Sequence, residues 1–255
     1  MRHLLSGPCL HGGYTRVEIT ENEVFELLLH VNAKEPYTIH VGPENARVDD
    51  HLVSIGNDEE RLCVVEHLFS AFYGLDMWGY KVDVFGRELP IFDGSALKFV
   101  EVLQYGQTRP LERVHTEKVI AVNDNTSYIR YEPTDDDNLQ ISMELTHAYI
   151  GHQRIDLNLD RKTYVQEIAP ARTFVYTDES DPRLEDLPPY GFGITETNVY
   201  SVEPLRYFDE PVRHKVLDLL GDLFLLQKRL CGKIQAYNTY HQLNKQFVSK
   251  VLRNM

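Results

Sequence analysis

Apolar and polar residues alternate along three early stretches, "TRVEIT", "EVFELLLHV" and "YTIHV", the period of half-buried β-strands. At "CVVEHLFSAFYGLD" the rhythm changes: apolar positions recur at helical spacing and predict a helix. "YKVDVFG" returns to the strand period. "RELPIFDGSA" is punctuated by Pro and Gly as a loop, and "LKFVEVLQYG" predicts a second helix. The polar stretch "QTRPLE", carrying Pro110, is the best linker in the chain.

The second half repeats the plan. "HTEKVIAVND", "SYIRYEP", "LQISMELTH" and "QRIDLNL" predict strands. "TYVQEIAPARTFVY" starts at helical spacing and must stop at Pro170. An acidic, Pro-marked loop, "TDESDPRLEDLPPYGFG", is expected to be exposed. Next come a helix at "VRHKVLDLLGDLF", the stretch "KIQAYNT" and a closing helix at "YHQLNKQFVSKVLRN". Each half thus runs from strands to helices. The expectation is an α+β protein of two similar domains, 1–108 and 114–255. In each a sheet layer packs on helices, with the active site in the cleft between the two.

Two patterns share the helix at 212–224. Val212, Val216, Leu217, Leu219, Leu220, Leu223 and Phe224 form a broad apolar face. His214, Asp218 and Asp222 recur every fourth residue within one narrow arc, at about 100° per residue, with Lys215 on its edge. Such a stripe is either the solvated face of a surface helix or a metal-bearing one. A catalytic zinc takes three protein ligands and leaves a position for water. His214 and Asp218 stand one turn apart and can reach a single ion, with His67 of the first half as a candidate third ligand. Glu66 beside it would then be the base toward a water activated by the ion. The competing reading of "VEHL" is a helix start with Glu66 near the positive end of the dipole. Lys215 can face a developing oxyanion or be a plain surface lysine. Asp222 is free to pair with a histidine such as His241, which would raise the imidazole pKa toward an acid role. Among the other histidines, His11 sits in the glycine turn "CLHGG" and His147 and His152 follow a strand. His3, His30, His40, His51 and His115 are expected to be structural or exposed.

The formal net charge of −13 argues against unspecific binding to nucleic acid or to an anionic membrane. Cys9, Cys63 and Cys231 are widely spaced and form no CxxC pair, so reduced thiols in a cytoplasmic protein are expected. No signal-peptide core and no run long enough for a membrane span is visible. GxxxxGK[ST], GxGxxG after a strand, HExxH and GxSxG are all missing, which leaves metal-assisted hydrolysis as the enzyme class these residues permit.

"VVEHLFSAFYGL", "PIFDGSALKFV", "THAYIGHQ", "ARTF", "VRHKVLDLLGDLFLL" and "AYNTYHQLN" occur in one order. In that order they resemble the UDP-3-O-acyl-N-acetylglucosamine deacetylase family, the zinc amidases of lipid A biosynthesis, over nearly the whole chain. The resemblance implies two similar α+β domains with the metal between them. It implies His67, His214 and Asp218 as ligands of Zn2+, with Fe2+ as an alternative that a His2Asp set also suits. Glu66 is implied as general base, Lys215 and Thr173 as oxyanion groups, and His241 as a second catalytic histidine charged by Asp222. Phe174 is implied as a substrate-contacting aromatic, and His11 is placed with it at the substrate. The substrate would be a UDP-sugar lipid precursor and the protein a cytoplasmic monomer. Departures lie at "LHGG" for the usual "LHTG", at "CVVEHL", and in "GFGITETNVYSV", where the family carries "GGS" and "DN" in a segment of its acyl-chain passage. The altered acyl-passage segment motivates one alternative, a paralogue deacetylating another acetamido sugar. A rival from a different class is a non-catalytic sugar-nucleotide-binding protein, which the presence of the full chemical set disfavours.

Overall fold

The computed structural model describes residues 2–31, 35–49, 52–106, 109–185 and 187–255. His51 and the first two residues of the expected linker lie outside the described residues. The predicted alternation is realised in the strands. Tyr14–Glu21 buries Thr15, Val17 and Ile19, and Leu139–His147 buries Leu139, Ile141, Met143 and Leu145, each at the two-residue period of a strand with one face in the core.

Two five-stranded sheets result. One runs Arg2–Pro8, Tyr14–Glu21, Tyr80–Phe85, Glu26–Leu29, Tyr37–Ile39 from edge to edge. The other runs Ile120–Asn123, Tyr128–Glu132, Gly232–Tyr237, Leu139–His147, Gly151–Leu159. In both, the strand latest in the chain takes the middle place, antiparallel to one neighbour and parallel to the other. In the first half, helices α1 (Glu66–Gly74) and α2 (Leu97–Leu103) flank that strand in sequence. The second half opens its helical part with a short turn, α3 (Arg161–Thr163), which runs into a π-turn at Tyr164–Ile168 and ends before Pro170. Its central strand is flanked by α4 (Glu210–Leu223) and α5 (His241–Leu252). The expected pair of similar α+β domains is therefore present, one topology used twice.

Each half also carries a small three-stranded insertion before its α1 or α4 helix. In the first half it is Ala46–Asp49, Leu52–Gly56 and Arg61–Cys63; in the second, Phe174–Tyr176, Phe192–Ile194 and Val199–Tyr200. Most of these strands are too short to show periodicity, and they escape the sequence pattern. Cys63 belongs to one of them, so the helix predicted from "CVVEHL" begins only at Glu66. Val64 turns the chain between strand and helix with φ of +60°, an unusual conformation for a β-branched residue. The expected linker is tied down: Arg109 O accepts from Trp78 N at 2.7 Å, and Asp76 accepts from Leu111 N and from Arg113. The acidic loop expected to be exposed is largely so at 178–185, yet Asp181, Arg183 and Leu184 within it line a cavity.

The two halves meet where α1 packs across α4. All of α1 is buried, and in α4 only Arg213 and Lys215 escape burial. The stripe of His214, Asp218 and Asp222 is accordingly no solvated face. Gly221 allows the close approach: a Cβ there would overlap the Glu66 carbonyl oxygen and lie 3.0 Å from Glu66 Cα. A counterpart exists at Gly74, whose missing Cβ makes room for the ring of Tyr164 from the second half. His67 and Gly74 in α1 and His214 and Gly221 in α4 share the same spacing.

The start of α4 is fixed by a buried ion pair. Glu210 accepts from Arg172 N at 3.0 Å, Arg172 Nε at 2.8 Å and Arg206 N at 2.7 Å. The Arg172 guanidinium also donates to Ser201 Oγ and Pro204 O. Its charge is thus paired and its donors are used, the condition for keeping an ion pair inside a protein. Removing one partner strands the other, so Arg172→Met should cost about 3–5 kcal/mol of stability, read as a fall in Tm by calorimetry. Gly221→Val should force α1 off α4. The expected loss is roughly 1–3 kcal/mol, with a drop in metal affinity in titration because His67 moves away from His214.

Candidate active site

Helix α1 begins at the interface, and its first two residues, Glu66 and His67, face α4. Within α4 the four-residue spacing stacks His214, Asp218 and Asp222 on the same side. Ligand atoms of His67, His214 and Asp218 lie within 4.8 Å of one another, and all three residues are buried. The His67 and His214 rings stand edge to face, 5.3 Å between centroids. These three form a possible metal site built from both halves.

Hydrogen bonding sets the state of each member. His214 Nδ1 lies 3.0 Å from Ala171 O, and a carbonyl oxygen can only accept. Nδ1 therefore carries the proton, and Nε2 keeps its lone pair on the side of Asp218 Oδ1, 3.3 Å away. Burial pulls His67 down to about 3 and lowers His214 as well, so both imidazoles are neutral at pH 7, as metal ligation requires. Burial works against the Asp218 carboxylate, yet the charges of Lys215 and His241 hold it well below the usual carboxylate range. Lys215 Nζ donates to Asp218 Oδ2 at 3.0 Å. His67 Nδ1 is buried without a partner among the described residues.

Beside this set stand two groups tuned in a complementary way. Burial pushes Glu66 up to about 7 against the attraction of His241, and Val53 N donates to its Oε2 at 3.3 Å. Burial disfavours charge on His241, but the Asp222 and Asp218 carboxylates overcome it and lift the imidazole to about 9. His241 Nδ1 donates to Asp222 Oδ2 at 2.8 Å, and its Nε2 lies 3.8 Å from Asp218 Oδ1. Near neutral pH the site thus holds a cationic imidazole and a carboxylate able to exchange a proton, the pairing that acid–base chemistry uses.

Thr173 and Phe174 belong to the second insertion. Thr173 N donates to Gly94 O at 2.7 Å, and Phe192 N donates to Thr173 O at 3.1 Å, so backbone clasps the residue on both sides. The Phe174 ring lies 6.2 Å from the His214 ring and 5.6 Å from Lys215 Nζ. A cavity of about 400 Å³ opens beside them, lined largely by apolar groups such as Leu10, Val175, Leu184, Leu187 and Phe192. His11 is exposed, and its Nδ1 pairs with Glu88 Oε2 at 2.9 Å; its neighbour Leu10 reaches the cavity. Among the remaining histidines, His147 stacks on Tyr176 at 3.6 Å, His30 pairs with Asp83 and His115 with Asp137.

Sequence reasoning missed the groups that hold this site in place. Arg172 and Glu210 anchor the segment carrying Ala171 O and Thr173 to the start of α4. Asp93 accepts from Ser95 N and Oγ and from Arg206 Nη2, which joins the "FDGSA" turn to the loop ahead of α4. Both "FDGSA" and "ARTF" are visible in the sequence as motifs. What they bind depends on contacts distant in the chain, which no local pattern encodes.

Comparison with known proteins adds to this geometry. The pattern of the family described as UDP-3-O-acyl N-acetylglycosamine deacetylase matches residues 4–253. A UDP-3-O-acyl-N-acetylglucosamine deacetylase of Aquifex aeolicus (strain VF5) is 30% identical over 88% of this chain and 79% of its own length. One from Syntrophotalea carbinolica (strain DSM 2380 / NBRC 103641 / GraBd1) is 32% identical over 81% of the chain and 71% of its own. One from Geotalea uraniireducens (strain Rf4) is 28% identical over 87% and 76%. With its sequence matched almost end to end, the chain belongs to the UDP-3-O-acyl N-acetylglycosamine deacetylase family.

Proposed function

We propose that this protein is a metal-dependent N-deacetylase that hydrolyses the acetamide of UDP-3-O-acyl-N-acetylglucosamine in lipid A biosynthesis. The observation that carries the proposal is the convergence of His67 from one half with His214 and Asp218 from the other, beside a raised Glu66 and a cationic His241. The substrate follows from the names of the relatives, and the apolar cavity next to Phe174 is suited to an acyl chain.

The donor set fits a divalent ion. Two neutral imidazoles and one ionised carboxylate converge within reach of a single atom, and the buried His67 Nδ1 has no protein partner among the described residues. His67, His214 and Asp218 would hold Zn2+, or Fe2+, which the same donors accept. Such an ion supplies a Lewis acid that polarises a carbonyl and eases deprotonation of a water. Glu66 takes the proton of the attacking water as its oxygen adds to the acetamide carbon. Lys215 and Thr173 are assigned to the oxyanion that forms, where oriented donors are worth most. Asp222 keeps His241 protonated, and Nε2 offers its proton to the departing amine. Phe174 and His11 are assigned to substrate contact. A cytoplasmic monomer completes the proposal; no described helix is long and apolar enough to cross a membrane.

Glu66→Ala and His241→Ala should each slow acetate release by about 100-fold or more, with metal content near that of the parent protein. Parent-like turnover in Glu66→Ala would remove the base assignment. His214→Ala should lose the ion, measured by elemental analysis of the purified protein. The acylated sugar nucleotide should be turned over far faster than UDP-N-acetylglucosamine. Equal rates would favour a paralogue with another acetamido substrate, and tight nucleotide binding without acetate release a non-catalytic binding protein.

A further inference from the structure

Asn244 sits on α5 one turn after His241 and is fully buried. Its Nδ2 donates to Asp222 Oδ2 at 2.8 Å, the same oxygen that receives the His241 Nδ1 proton, also at 2.8 Å. Its own Oδ1 is buried with no partner among the described residues. An amide kept inside with an unpartnered oxygen is a poor choice for packing, because an apolar side chain would bring no polar atom to be left unpaired. The neighbours on α5 make the contrast plain, since Leu243, Phe247 and Val248 are buried and apolar. Helix formation does not need the side chain either, because the α5 start uses the backbone bond from Asn244 N to Tyr240 O.

The side chain's other end has a clear task. A carboxylate held by one bond can turn about its terminal torsion, which is soft. With two donors converging on Oδ2 from α5, the Asp222 carboxylate has its plane set. The imidazole that shares that oxygen then has its ring fixed, with Nε2 on the side of Asp218. We propose that Asn244 is a positioning residue for the reaction: through Asp222 it holds the His241 ring so that Nε2 faces the departing amine. The inference rests on the acid role of His241 proposed above. Partners one step removed from the reacting atoms commonly carry a tenfold to hundredfold effect of this kind.

Asn244→Leu keeps the branching of the side chain, removes the donor and adds some volume. Expected results are a fall in kcat for acetate release of about tenfold or more, KM within about twofold, and unchanged metal content. Tm should change little, because the lost bond to Asp222 and the removed unpartnered oxygen act in opposite directions. In a His241→Ala background the same substitution should change kcat by less than about twofold, the signature of two residues acting through one path. The downfield proton resonance of the His241 Nδ1–H, identified by its loss in His241→Ala, should shift or broaden in Asn244→Leu. Should the leucine variant not fold, Asn244→Val is read in the same way. Parent-like kcat in Asn244→Leu, or an equal loss in both backgrounds, overturns the inference. If His241→Ala itself keeps parent-like kcat, the role of His241 fails first; if it is inactive while Asn244→Leu is silent, only the positioning role falls.

Discussion

Everything at the candidate site depends on how closely two helices can cross. A side chain larger than hydrogen at Gly221 would strike the backbone of Glu66, so the absence of a Cβ there sets the distance between α1 and α4. That distance brings a ligand atom of His67 within 4.8 Å of those of His214 and Asp218, which makes the possible metal site. Neither half contains all three of these residues alone. The site is a property of the packing, and the packing rests on a single missing methyl group together with an apolar face that holds the halves together.

Excluding water from this crossing also sets the chemistry. Burial alone pushes a carboxyl up and an imidazole down, and Glu66 and His67 follow that rule. Asp218 and His241 go the other way, because each faces opposite charges that outweigh its desolvation. Five ionisable groups in one buried crossing, Glu66, His67, His214, Asp218 and His241, thus separate into two neutral imidazoles, an anionic carboxylate, a cationic imidazole and a carboxyl poised near neutrality. The buried Arg172–Glu210 pair lies outside this group but supports it, since it holds the segment whose Ala171 carbonyl fixes the tautomer of His214.

The two halves share a topology but have diverged in what they contribute. Both place a histidine and a glycine at the same spacing on the helix before the central strand. The first half keeps a glutamate ahead of its histidine and supplies one member of the possible metal site. The second adds Lys215, Asp218 and Asp222 along its helix. The insertions differ as well. The first gives Glu66 a donor at Val53 N, whereas the second carries Thr173 and Phe174 and lines the apolar cavity.

From residue order alone, most strands of both large sheets, the main helices and the α+β class were legible, because periods of two and of 3.6 residues report which side of an element is buried. The edge strand Arg2–Pro8 and the middle strand Gly232–Tyr237 were not legible as strands. The polar stripe on α4 was legible as a stripe and ambiguous in meaning. Its spacing fits a solvated face as well as a ligand set, and only the burial of that side beneath α1 separates the two. The insertion strands were hidden because most are shorter than the pattern that would reveal them. Arg172, Glu210 and Asn244 were hidden for another reason: each acts through a partner distant in the chain, and local sequence carries no record of such contacts. Sequence by itself determined the elements and which residue types each carries. Tertiary structure decided which of them meet, because a metal site and a charged histidine need groups from separate helices brought within a few ångströms and closed off from water.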